Sequence, residues 1–138
     1  MHGFQLDGCS ATLVYMQNCF AKNNGHNGVD VNGPRVIAMS STLHGNAGVG
    51  IDVGGGSVVA LYACTLTSNG SYGAVVRAGS TLHLHDCIVT NNAAGSVKVL
   101  PGGFLVLDGD TNVLDIPPVA DPNGVVRHAS ATAAQTEA

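Results

Sequence analysis

The chain has no tryptophan, and aromatic residues make up only 4% of its 138 positions. Its few rings, Tyr15, Phe20, Tyr62, Tyr72 and Phe104 among them, are scattered. A sugar-binding groove paved with aromatic platforms is therefore not expected. Charge is scarce too, at 10% of residues, with five Lys and Arg against nine Asp and Glu. The net charge of −4 and the dispersed cations Lys22, Arg35, Arg77, Lys98 and Arg127 exclude a basic patch for nucleic acid. No apolar run is long enough for a transmembrane helix, so no membrane contact is expected. The opening MHGFQLDG lacks the basic and apolar regions of a signal peptide, which leaves localisation open. The four cysteines show no CxxC metal spacing.

What is present is a repeat. Asn24, Asn46, Asn69 and Asn92 are 22, 23 and 23 residues apart. Five residues before each stands Cys19, Ser41, Cys64 or Cys87, and a Gly follows each at 28, 50, 73 or 95. After the Gly comes a short apolar alternation: Val29 and Val31, Ile51 and Val53, Ala74 and Val76, Val97 and Val99. A Gly- or Pro-containing bend leads to a second alternation, read as Ile37 and Met39, Val59 and Leu61, Leu82 and Leu84, Leu105 and Leu107. Phe4, Leu6, Val14, Met16 and Cys19 form an incomplete early copy. A fixed short period with breakers at fixed places marks a solenoid. The internal period of two gives three short strands per coil, typified by 50–53, 58–62 and 65–67. Each stacks in parallel about 4.8 Å from its counterpart in the next coil.

Coils are expected over 1–26, 27–49, 50–72, 73–94 and 95–116. Pro117 and Pro118 then stop the pattern, and 117–138 reads as a loose tail or a short capping helix. Cys64 and Cys87 fall in one column on adjacent coils. In-register side chains keep their Cβ atoms about 4.8 Å apart, beyond the usual disulfide limit of about 4.5 Å, so free stacked thiols are expected. Cys9 has no evident partner. Free cysteines favour a cytoplasmic setting. Unpaired strand edges at the coil ends point to association through an end or flank, as a homo-oligomer or as part of something larger.

The pattern C-x-[LV]-x-x-N-x(2,3)-G-[apolar]-x-V, as in Cys64, Leu66, Asn69, Gly73 and Val76, resembles the repeat of the pectate-lyase-like right-handed parallel β-helix superfamily. The resemblance covers about residues 3–110. It implies an all-β, single-stranded, right-handed parallel β-helix of about five coils. It also implies an internal small-polar column at a tight turn, here Cys19, Thr42 or Ser41, Cys64, Cys87 and Asp110. Members include polysaccharide lyases, hydrolases and epimerases, phage tailspikes and non-catalytic recognition modules, with sites often on the outer face of the first strand.

Two outward clusters carry candidate chemistry. The outer column of the first strand reads Gln5, Asp30, Asp52, Val75, Lys98. Asp30 and Asp52 would stack about 4.8 Å apart. Like charges so close raise one pKa or demand a cation, so the pair fits acid–base work on a glycoside, or calcium. Arg77 is the nearest basic partner, and the alternative role for both acids is surface solubility. The second cluster is HLHD. His83 and His85 share the outer face, and with Asp108 they offer ligands for zinc. The plainer account is an exposed pair of histidines. Alternation turns Cys87 inward and His85 outward, which excludes a Cys–His nucleophile. The Asn column is structural, with stacked amides at αL turns. The expected function is a non-catalytic structural or recognition module presenting a flat sheet face to a protein or glycan. The competing reading is a carbohydrate-active enzyme using Asp30 and Asp52.

Overall fold

The computed structural model describes residues 3–7, 13–108 and 112–129. Among them there is no helix, and three parallel sheets wrap one core. The first sheet stacks Phe4–Asp7, Val29–Asn32, Ile51–Gly54, Tyr72–Val76, Gly95–Val99 and Val119–Ala120. The second stacks Leu13–Gln17, Arg35–Met39, Val58–Tyr62, Thr81–His85, Phe104–Asp108 and Val125–Ala129. The third stacks Phe20–Lys22, Thr42–His44, Thr65–Thr67, Ile88–Thr90 and Val113–Leu114. The result is a parallel β-solenoid of five complete turns and two strands of a sixth.

Each sheet sends one alternate set of side chains into the core. Val53, Leu66, Val76, Leu82, Leu84, Val97 and Leu105 are fully buried. The Asn ladder seals the core beside the third sheet. The Nδ2 of Asn24, Asn46 and Asn69 donates to the Oδ1 of Asn46, Asn69 and Asn92, at 2.8, 2.9 and 2.9 Å. Each of those Oδ1 atoms also accepts the backbone N–H of the Asn one coil earlier. The spare Nδ2 hydrogens of Asn46, Asn69 and Asn92 go to the carbonyls of Ala21, Leu43 and Leu66. The αL turn belongs to the residue before the ladder: Asn23, Gly45, Ser68 and Asn91 all have positive φ. Sequence reading credited that role to the ladder asparagines themselves. The recurrence of glycine at 28, 50, 73 and 95 has a local cause. A Cβ on Gly50 would lie 2.5 Å from the Gly73 carbonyl oxygen and 3.0 Å from the Asn69 amide.

Cys19, Cys64 and Cys87 are free, as expected, and Cys9 lies outside the described residues. The Cys87 thiol donates to the Leu61 carbonyl at 3.2 Å. The adjoining Cys64 side chain and burial hold this thiol well above its ordinary pKa.

Three further details differ from the sequence reading. The small-polar column runs Cys19, Ser41, Cys64, Cys87, Asn112. The pairings Phe20↔Thr42 and Ile88↔Val113 place Ser41 and Asn112 there, and the two side chains accept the N–H of Cys19 and Cys87. Thr42 is therefore one position too late, and Asp110 lies outside the described residues. Strands also continue past 116. After the two prolines, Val119–Ala120 and Val125–Ala129 rejoin the first and second sheets, because the bend Asp121–Gly124 repeats the turn that Leu100–Gly103 makes one coil earlier. Residues 130–138 lie outside the described residues. Finally, Val36 and Ala38 pair with Val59 and Leu61 and are buried, so Ile37 and Met39 face out. RVIAM is apolar at four of five positions, and a one-residue slip turns every side chain to the other face.

Candidate functional site

Two outer faces stand out, and they are built from opposite chemistry. On the first sheet, Asp30, Asp52, Val75, Lys98 and Val119 lie in register along one outward column. The expected stacking of Asp30 on Asp52 is therefore present. What sequence could not place was Arg77, which follows the strand Tyr72–Val76 and folds back one coil. Its Nε and Nη2 donate to Asp52 Oδ1 and Oδ2 at 2.7 and 2.8 Å. Both oxygens of Asp52, whose side chain is only 10% exposed, are thus occupied by a bidentate guanidinium. The hydrogen bonds that Arg77 donates to Asp52 raise its pKa above the ordinary value. Burial opposes the rise, and the charges of Asp52 and Asp30 add to it. The cation that two stacked carboxylates demand is thus supplied by the chain itself. Further along, Lys98 Nζ is 2.6 Å from Asp121 Oδ1. A shallow groove of about 610 Å³ runs over this face, lined by His26, Asp30, Asp52, Tyr72, Arg77 and Lys98 among others.

The outer face of the second sheet is largely apolar over its first three strands, with Gln17 and Arg35 at the flanks, and turns polar beyond them at Thr81, His83, His85, Asp108 and Arg127. Its central column reads Tyr15, Ile37, Ala60, His83, Val106, Arg127. On either side lie Leu13, Met39, Val58, Tyr62 and Phe104. Tyr15 is 70% exposed, Leu13 and Met39 45%, Tyr62 39% and Val58 37%. Several large apolar side chains open to solvent on one flat strip are unusual for a surface that meets only water. Sequence reading missed this face because it sent Ile37 and Met39 inward. The signal was present: an outward column in which charge appears only at its end.

The proposed zinc ligands sit on the same face, but they separate. His83 Nδ1 lies 3.2 Å from Asp108 Oδ2. His85 is in register with Asp108, yet its Nε2 lies 3.4 Å from Asp86 Oδ2 and its ring packs 5.6 Å from that of Tyr62. Among the described residues no three His, Cys, Asp or Glu side chains are grouped to hold a metal ion.

Residues 1–114 match the family described as the right handed beta helix region, and the chain belongs to that family. The parallel solenoid is therefore a right-handed β-helix. No curated protein and no solved structure matches the chain.

Proposed function

We propose that this β-helix is a recognition module that docks a protein partner on the outer face of its second sheet. The observation that carries the reading is the contiguous apolar strip of Leu13, Tyr15, Ile37, Met39, Val58 and Tyr62. Burying one such side chain contributes about 1.5–3 kcal/mol, so a few anchors suffice for specific binding. The acid–base reading has less support. A catalytic carboxylate needs a free oxygen and a tunable proton, whereas both oxygens of Asp52 accept from Arg77.

The test places a photo-crosslinking benzoylphenylalanine at Tyr62 and, separately, at Asp30 in extracts of the source cells. Adducts are expected at the first position and are lost when Met39→Glu is added. Adducts confined to the Asp30 position overturn the reading, and so does a strictly monomeric protein that forms none at Tyr62. Adducts between two copies of the chain make the partner a homo-oligomer.

The groove over the first sheet favours a second reading, a glycan site with Asp30, Tyr72 and Lys98 as polar contacts. Binding to a glycan array that is abolished by Asp30→Asn and untouched by Tyr62→Glu would favour it.

A further inference from the structure

The outer face of the second sheet has a hollow at its centre, and the hollow has a charge beside it. Ala60 is in register with Ile37 on one side and His83 on the other, and Val58 and Tyr62 flank it along the strand. A methyl group ringed by four larger side chains leaves a depression of about 220 Å³, whose lining includes Arg35. In other proteins about 150 Å³ is room enough for a benzene ring. Arg35 is exposed, and among the described residues it has no ion-pair partner. The other cations are engaged: Arg77 with Asp52, Lys98 with Asp121, Lys22 over the Phe20 ring and Arg127 over the Phe104 ring.

The strip also limits what can sit on it. The whole six-strand face, at about 4.8 Å per strand and about 13 Å of width, gives about 300 Å² in projection, and the apolar strip fills only its first three strands. A stable globular pair needs about 800 Å² from each partner. An extended segment of about seven residues spans the same 24 Å or so at about 3.4 Å per residue.

Given docking on this face, as proposed above, we infer that its occupant is a single extended peptide segment lying across the strands. It seats an aromatic side chain over Ala60 and places an adjacent acidic residue on Arg35. The segment cannot pair edge to edge here, because every strand in the strip but the outermost is already paired on both sides. Its specificity therefore comes from side chains: ring in hollow, carboxylate on guanidinium. A basic neighbour to the ring is repelled by Arg35.

The probe is acetyl-Gly-Ser-Phe-Glu-Gly-Ser-amide, titrated into the full ¹⁵N-labelled chain and followed by amide shifts. Saturable shifts are expected at Ile37, Ala60, Tyr62 and His83, with Kd on the order of 1 mM for so short a ligand. Replacing Phe by Ala in the peptide, or Ala60→Trp in the protein, is expected to abolish them. Replacing Glu by Lys, or Arg35→Gln, is expected to weaken binding about five-fold or more. Both substituted positions face solvent, and an unchanged dispersion of the remaining amides confirms that each variant is folded. Shifts on this face that are indifferent to Ala60→Trp and Arg35→Gln overturn the inference and leave the docking face standing. Shifts confined to the first-sheet groove, or no saturable shift, overturn the inference, and the docking face then stands or falls by the crosslinking at Tyr62.

Discussion

The first and second sheets share a backbone, a register and a core, and differ only in what they turn outward. On the first, the charges are answered within the chain: Asp52 by Arg77, Lys98 by Asp121. On the second, Leu13, Tyr15, Met39, Val58 and Tyr62 stand exposed among the described residues. A solenoid thus separates stability from recognition by direction. Inward columns hold the coil together, and each outer column is free to vary. A face whose charges are satisfied internally offers a partner less than one whose apolar groups are not.

The largest expected effect lies outside both faces and sets the scale for them. Asn69→Ala removes the acceptor of the Asn46 N–H and the donor to the Leu43 carbonyl. At about 1–3 kcal/mol per orphaned group, a loss of about 3 kcal/mol is expected in urea unfolding. Next comes Arg77→Ala. It leaves the Asp52 carboxylate buried and unpaired, for a loss of about 1–2 kcal/mol after allowing for the 55% exposure of the arginine. The paired change Asp52→Asn with Arg77→Ala should recover part of that loss, and failure to do so would mean the two faces are not as different as described.

On the second face the expectation reverses. Met39→Glu with Tyr15→Gln should move stability by no more than about 0.5 kcal/mol while abolishing crosslinking from benzoylphenylalanine at Tyr62. A large stability loss from this pair would show that the strip belongs to the fold and not to recognition. The smallest effect concerns Lys98. Asp121 holds its amine above the ordinary lysine pKa. The contribution is therefore complete below the unfolded value and fades as pH rises through the folded one. The melting-temperature difference between wild type and Lys98→Met should be small and flat near neutrality, and should close only in alkaline buffer.

Most of the fold was legible because its signals are periodic. The Asn spacing, the glycines and the alternations ending at Leu61, Leu84 and Leu107 all agreed on coil length and on inward columns. The candidate sites were less legible, for two physical reasons. The stacking of Asp30 on Asp52 follows from register alone, but the bidentate clasp of Arg77 depends on how a bend residue turns back by one coil, and no periodicity encodes that. The apolar strip was hidden by an ambiguity of phase. In RVIAM both alternating sets carry apolar residues, Ile37 and Met39 in one and Val36 and Ala38 in the other, so the pairing with Val59 and Leu61 decides which set is core. The strands at Val119–Ala120 and Val125–Ala129 were obscured by Pro117 and Pro118, which end one strand without ending the coil.

The Asn ladder also makes this chain divisible. In the four coils that carry the ladder, five residues separate the small-polar column from the Asn, and each ladder side chain bonds only backbone and amide groups of the neighbouring coils. Deleting residues 47–69 as a block would therefore bring Asn46 onto Asn92 with the same donor facing the same acceptor, and would join every sheet to its own kind. Deleting a few residues anywhere between Ser41 and Asn46 would misalign the ladder. The protein can thus lengthen or shorten by whole coils far more easily than by single residues, and the length of its docking strip is set in steps of one strand.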